Sequence, residues 1–218
     1  MSGLLIKDFR LLKHQGGLFG FVLILACGMA FVGSKNFSSF ITSYLTFMVS
    51  MFSFSSFNYD DYDNGMAFLI ALPSGRKDYV KAKYLFSILL ITGGWLTGSL
   101  LRMIFFLLRF SAAEYLEVVA EEPVYLLLCL SYVGGTLPAL IKFGAEKGRM
   151  IAFTVLAVIG TGGFLLVKTD VGFSLLKTII GLAEMSLPLT MVFLAAVCAL
   201  ILSVSYLISL RIMEMREF

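Results

Sequence analysis

Residues that could do chemistry are few in this 218-residue chain, and the densest group of them lies between Asn58 and Tyr84. Asp60, Asp61 and Asp63 open the stretch, an apolar run from Met66 to Leu72 follows, and Pro73 closes it before Arg76, Lys77, Lys81 and Lys83. A plain loop between two membrane helices needs no such order. A segment that leaves the membrane, docks on something and re-enters it does. Catalysis finds little to work with elsewhere. His14 is the one histidine, which excludes a histidine-rich metal site, and the three cysteines (Cys27, Cys129, Cys198) are far apart inside apolar stretches. They read as small buried hydrophobes, neither disulfides nor metal ligands. No G-x-x-x-x-G-K-[ST] loop is present to cradle nucleotide phosphates. The sequence offers no catalytic residues, no metal site and no cofactor held by this chain.

The elements around that stretch are membrane-length. The chain is 59% hydrophobic and only 14% charged, with a mean hydropathy of +0.94. Soluble domains are about half apolar and a quarter charged, so this composition belongs to an integral-membrane protein. A spanning helix needs about 20 mostly apolar residues. Six stretches qualify, 17–34, 37–58, 84–108, 124–141, 150–167 and 187–210, and they consume most of the chain. The fold class is therefore all-α, integral to the membrane, with one domain over residues 1–218.

Charge placement gives an orientation. With the N-terminus inside, the inner segments hold Lys7, Arg10, Lys13, Arg76, Lys77, Lys81, Lys83, Lys142, Lys147, Arg149, Arg211 and Arg216. The outer ones hold Lys35, Arg109, Lys168 and Lys177. This positive-inside bias predicts two cytoplasmic termini and a cytoplasmic 60–83 segment. The basic N-terminus before an apolar run has the look of a signal sequence, and Ile24-Leu25-Ala26-Cys27 faintly that of a lipoprotein cleavage site. Ile24 at the third position before the cysteine and the five later spans argue for retention. Residues 3–13 fit an amphipathic elbow helix lying in the headgroup layer, with Leu4, Leu5, Phe9, Leu11 and Leu12 apolar and Lys7, Asp8, Arg10 and Lys13 wet.

In span two, Ser39, Ser43, Thr46, Ser50 and Ser53 recur at helical steps and draw a hydroxyl stripe, flanked by Phe40, Tyr44, Phe47, Met51 and Phe54. The stripe reads either as a packing face, where small residues let helices approach, or as one wall of a translocation path. Span three carries Gly94-x-x-x-Gly98, a close-contact pattern. Arg102, near its outer end, either reaches the headgroups or pairs with an acid of the outer loop, Glu114, Glu117, Glu121 or Glu122. Segments 110–122 and 170–186 read as outer surface-lying or re-entrant helices, and Gly134-Gly135 with Pro138 invites a kink in span four.

Within the polar stretch, Asp63 is placed to cap a short helix from about 64 to 72. Pro73 ends it, because the residue before proline is pushed out of helical geometry. Arg76, Lys77, Asp78, Lys81 and Lys83 then hold the next helix at the cytoplasmic headgroups. The short helix either lies on the inner leaflet or exposes its apolar side below the membrane, and exposed apolar surface implies a partner.

Tyr59-Asp60, then Phe68-Leu69-Ile70-Ala71-Leu72-Pro73-Ser74-Gly75-Arg76, then Tyr79-Val80-x-x-Lys83-Tyr84 resemble a stretch found between the second and third spans of small ABC-2 type transporter permeases. Leu4-Leu5-Ile6-Lys7-Asp8 with Leu11-Leu12 is similar to the start of that family, and the six-span count extends the likeness over the whole chain. Asp61 departs from it, standing where the family usually has Glu. The resemblance implies a plasma-membrane exporter subunit, of the kind found in bacteria, that dimerises with a second permease copy. It implies a separate cytoplasmic ATP-binding cassette subunit holding ATP and Mg. It makes 63–73 a coupling helix, with Asp60, Asp61, Asp63, Met66, Leu69, Ile70, Leu72, Pro73 and Arg76 meeting the ATPase. Cargo would move outward and be apolar or amphipathic: peptides, drugs or lipids. Nothing points to nucleic acid. The rival readings are a secondary transporter, disfavoured by the lack of mid-span charges, and a membrane scaffold that transports nothing.

Overall fold

The computed structural model describes residues 2–32, 38–62, 65, 75–109, 115, 119–169 and 187–215. Among the described residues there are six helical runs: α1 (Ser2–His14), α2 (Gly16–Val32), α3 (Ser38–Asp61), α4 (Gly75–Arg109), α5 (Glu122–Lys168) and α6 (Leu187–Met215). No strand occurs among the described residues. That is what hydrocarbon demands, because a helix satisfies its backbone groups without water. Four helices, α3 to α6, are long and apolar enough to cross a membrane. The pair α1–α2, bent by 64°, makes a fifth if counted as one broken span.

This count differs from the six stretches read in the sequence for two reasons. The α2 helix has only 17 residues. The stretches 124–141 and 150–167 lie in one run, α5, which is broken by a sharp bend and not by a loop. The expected kink at Gly134-Gly135 and Pro138 is not where the run breaks. Its non-helical residue is Gly144, at φ 80° and ψ 175°. There α5 folds back on itself. The Tyr132 hydroxyl donates to the Ala152 carbonyl at 3.0 Å, whereas residues twenty apart in a straight helix lie about 30 Å from each other. Close behind the bend, a Cβ on Gly148 would sit 2.7 Å from the Leu140 Cα, so the two arms touch backbone to backbone.

The bend is fixed from another helix. Asp61, the last residue of α3, accepts a hydrogen bond from the Ala145 amide at 2.5 Å. It thereby supplies the carboxylate that the N-terminus of the second arm attracts. Gly144 is needed twice over. Its backbone angles are open to glycine almost alone, and an added Cβ would stand 2.9 Å from Asp61 Oδ2.

Packing centres on α3, the most buried of the membrane-length helices, while α6 is the most exposed. The most extensive pairing is α3 with α4, followed by α5 with α6. Gly94 and Gly98 make the first possible: Cβ atoms there would lie 2.7 Å from the Val49 Cβ and 3.0 Å from the Thr42 Cα. Gly134 does the same against Leu202 of α6, at 2.5 Å.

Replacing Gly144 with Ala is expected to cost about 1–3 kcal/mol from the strained backbone. Asp61→Ala costs about 1 kcal/mol through the lost cap. The double variant should be less destabilised than the sum, since removing Asp61 removes the clash. Unfolding curves of the purified protein in detergent measure all three.

Candidate functional site

At one end of the bundle, charged side chains from three helices meet in its interior. Lys83 of α4 is 1% exposed, and its ammonium lies 3.1 and 3.2 Å from the two oxygens of Asp8 (α1) and 2.5 Å from Asp60 Oδ2 (α3). It also donates to Ser56 Oγ at 2.5 Å, and Ser56 donates to Asp8 Oδ1 at 2.8 Å. Tyr79 donates to Asp60 Oδ2 at 3.0 Å, and Lys7 pairs with Asp60 from the half-open side of the cluster. The rings of Phe57 and Tyr79 face the ammonium at 5.0 and 5.4 Å. Two lysines and two aspartates cancel in formal charge. This is the condition under which such groups persist in an apolar bundle: removing one partner strands the other, at a cost of about 3–5 kcal/mol.

The network continues sideways. Tyr84, one residue beyond Lys83, shares its hydroxyl with Ser205 at 2.6 Å and Ser209 at 2.8 Å on α6, and Ser205 donates to the Gly134 carbonyl of α5. Arg76 donates to the Glu214 carbonyl at 2.8 Å, and Lys77 pairs with the Glu214 carboxylate at 3.3 Å. With the Asp61–Ala145 contact, these bonds gather α1, the end of α3, the start of α4, the bend of α5 and the end of α6 at one end of the bundle.

Two sequence expectations are corrected here. Lys83 does not sit at headgroups, because its i−4 neighbour Tyr79 and i+4 neighbour Ser87 are both buried and carry it inward. Asp8 is not wet. It is 1% exposed, on the same α1 face as buried Leu4, whereas Ile6 points outward. Of the residues assigned to coupling, Asp60 and Asp61 are engaged within the chain as described and Arg76 is bonded to α6. Asp63, Met66, Leu69, Ile70, Leu72 and Pro73 lie outside the described residues.

A second charged pair lies near the far ends of α3 and α4. Arg102 is fully buried, so it does not reach out to headgroups. It donates to Ser39 Oγ at 2.9 Å and stands 3.6 Å from Glu122 Oε1, itself 3% exposed. Trp95 donates to the Glu122 carbonyl at 2.9 Å. The 3.6 Å contact is too long for a hydrogen bond, so among the described residues its two atoms, Arg102 Nη1 and Glu122 Oε1, have no hydrogen-bond partner. Neither do Arg102 Nε and Thr42 Oγ1, while Tyr115 hydrogen-bonds to the Glu122 side chain.

The hydroxyl stripe runs along α3 between these clusters. Thr46, Ser50 and Ser53 are fully buried and bond back to the carbonyls of Thr42, Phe47 and Ser50, while half-buried Ser43 bonds to those of Ser39 and Phe40. Open space lies beside the stripe, along its aromatic neighbours. One cavity of about 390 Å³ is lined by Phe40, Ser43, Tyr44, Phe47 and the first turns of α5. Another of about 490 Å³ lies between the two α5 arms, with Phe47 and Ile201. Among the described residues, no group of three or more His, Cys, Asp or Glu could hold a metal ion.

A protein-family model described as "ABC-2 family transporter protein" matches residues 3–214. The chain belongs to the ABC-2 transporter family. No curated protein and no solved structure was found to match it. Membership in the ABC-2 family makes this chain a multi-pass membrane transport component. It also gives the buried network a family context, since Asp8, Asp60, Tyr79, Lys83 and Tyr84 all belong to the segments that carried the resemblance. Sequence reading singled out these residues but placed two of them in water. The available signal was the register: Tyr79, Val80, Lys83, Tyr84 and Ser87 share one α4 face, and a lysine on a face of that kind needs a buried counter-charge.

Lys83→Met in this ABC-2 chain is expected to lower stability by about 3–5 kcal/mol. Adding Asp8→Asn should recover part of that loss, because the stranded carboxylate is gone. A double-mutant cycle on detergent-solubilised protein reads the coupling between the two positions. Additive losses would mean that the two side chains do not pair.

Proposed function

We propose that this chain is the membrane-spanning permease of an ATP-driven exporter that moves apolar or amphipathic cargo outward. Peptides, drugs and lipids are the cargo classes that fit. Its motor is a separate ATP-binding subunit that carries ATP and Mg²⁺, and the permease works as a dimer with a second copy or a related chain in a bacterial plasma membrane. The observation that carries this reading is the buried network at the two roots of the 62–75 connection. Asp60 and Asp61 hold the end of α3, and Arg76, Tyr79 and Lys83 hold the start of α4. A segment that receives a push needs both roots fixed to what it must move, and these roots are tied to α1, α5 and α6.

Two arms of α5, counted as separate crossings about Gly144, bring the number of crossings to six with α2, α3, α4 and α6. This reading is supported by the gathering of Lys7, the 60–83 roots, the 142–149 bend and Glu214 at one end, which positive charge marks as cytoplasmic. Residues 63–73 then form the coupling helix, with Asp63 and Pro73 as its limits and Met66, Leu69, Ile70 and Leu72 as its apolar contacts with the ATPase. Asp60 and Asp61 serve this function from inside, by positioning the roots. The hydroxyls of Ser39, Ser43, Thr46, Ser50 and Ser53 back the translocation path, and the aromatic strip beside them faces it.

Leu69→Asp with Ile70→Asp should leave membrane insertion intact and abolish co-purification of the ATP-binding subunit, or uncouple its ATP hydrolysis from transport. Apolar anchors at such an interface are worth a few kcal/mol. Normal binding together with normal cargo-stimulated hydrolysis would contradict the coupling role.

A further inference from the structure

Pro138 stands inside α5, yet the run's non-helical residue is Gly144. A proline within a helix has no amide to give to the carbonyl four residues earlier, which here is that of Gly134. In a membrane such a freed carbonyl needs another donor, and a hydroxyl of a neighbouring helix can supply it. Ser205 of α6 does so: its hydroxyl donates to the Gly134 carbonyl. The helices come close enough because Gly134 has no side chain. A Cβ there would lie 2.5 Å from Leu202 Cδ2, one turn before Ser205.

The order of donors behind Ser205 follows from this contact, since a hydroxyl has one proton. Ser205 commits its own to Gly134, so in its 2.6 Å contact with Tyr84 of α4 the tyrosine is the donor. The Tyr84 proton is then committed as well, so at 2.8 Å Tyr84 accepts from Ser209. The bonds run one way, from Ser209 to Tyr84 to Ser205 to the Gly134 carbonyl, and all three side chains are buried. Hydrogen bonds aligned in this way strengthen one another. Ser205 has another acceptor within reach. Ser203, two residues earlier, donates at 2.7 Å to the Ala199 carbonyl four residues back, and the same turn of the side chain would bring Ser205 to the Ile201 carbonyl.

We propose that Pro138 makes α5 a hinge, and that Tyr84 and Ser205 are the positioning residues that hold it straight. With the row of bonds intact, α5 runs through Pro138 undivided. When the start of α4 shifts and the Tyr84 hydroxyl leaves Ser205, Ser205 turns to Ile201 and α5 bends at the proline. Gly135, Thr136 and Ala139 line the cavity of about 490 Å³ between the two α5 arms, so the bend reshapes that cavity. The use of the hinge in transport rests on the exporter reading, and it gives the route by which a push at the root of α4 reaches the cavity. The hinge itself is measured on this chain alone, so its failure leaves the partner-binding test untouched.

Cys129 lies on the arm before Pro138 and lines the same cavity while 8% exposed, which makes it a reporter of the bend. The experiment takes the full chain in detergent, with Cys27 and Cys198 replaced by alanine, and follows modification of Cys129 by N-ethylmaleimide. Tyr84→Phe and Ser205→Ala should each raise the rate roughly fivefold, the weight of about one hydrogen bond. Pro138→Ala gives residue 138 an amide for the Gly134 carbonyl, so adding it to either variant should return the rate close to its starting value. A rate unchanged by both single variants would overturn the proposal. A raised rate that Pro138→Ala leaves raised would overturn it as well, because a general loosening of the contact between α4 and α6 is not cured by an amide at position 138. Should one single variant fail to fold, the other decides the matter together with its Pro138→Ala partner.

Discussion

The bundle depends on keeping one ammonium, that of Lys83, inside an apolar protein. A lone buried charge is among the most costly features a fold can contain. Asp8, Asp60 and Ser56 surround this one within hydrogen-bonding distance. Each comes from a different element from Lys83, so satisfying the charge fixes where α1 and the end of α3 must lie relative to α4. The glycine contacts of α4 on α3 set how closely those helices run, but they allow sliding along the contact. The charge network sets the register.

The two charged clusters differ in a way that bears on motion. Near the roots of the 62–75 connection the network is closed, with Lys83 bonded to three side chains and Tyr79 bonded to Asp60. Near the far ends of α3 and α4, Arg102 Nη1 and Glu122 Oε1 face each other at 3.6 Å, too far for a hydrogen bond, and Arg102 Nε and Thr42 Oγ1 have no hydrogen-bond partner among the described residues. Satisfied polar networks rigidify a structure, whereas an unpaired buried polar group is costly. The chain therefore combines a closed network beside the 62–75 connection with an under-bonded pair at the far ends of α3 and α4.

Much of this was legible in the sequence. The apolar stretches announced a helical membrane protein, and the segments around Asp60 and Lys83 its resemblance to the ABC-2 family. The close contact at Gly94 and Gly98 was visible as a spacing. What was not legible depended on contacts between distant positions. Asp8 looked like one more polar residue on an amphipathic helix until Lys83 and Ser56 were placed against it. Arg102 could reach outward or inward by its spacing alone, and the proximity of Glu122 decided for inward. The two apolar stretches that α5 joins were legible on either side of 142–149, but the pivot between them was not: it fell at Gly144 rather than at the more conspicuous Pro138. The hydroxyls of α3 looked available to a path by periodicity, yet those of Thr46, Ser50 and Ser53 are spent on their own helix.

The central claim is that α1 and the start of α4 move as one body when the connection between α3 and α4 is driven. Phe9 and Phe86 pack edge to face across that junction, with ring centres 5.3 Å apart. In a chain with Cys27, Cys129 and Cys198 replaced, cysteines at these two positions can be joined by a short bifunctional thiol reagent. Transport and ATP hydrolysis by the complex with its ATP-binding subunit are then compared before and after joining. The account predicts that both continue at close to their starting rates, because the link adds nothing to a junction that does not move. Loss of transport on joining, restored by a cleavable reagent once cut, would show that α1 slides against α4 during the cycle and would contradict it.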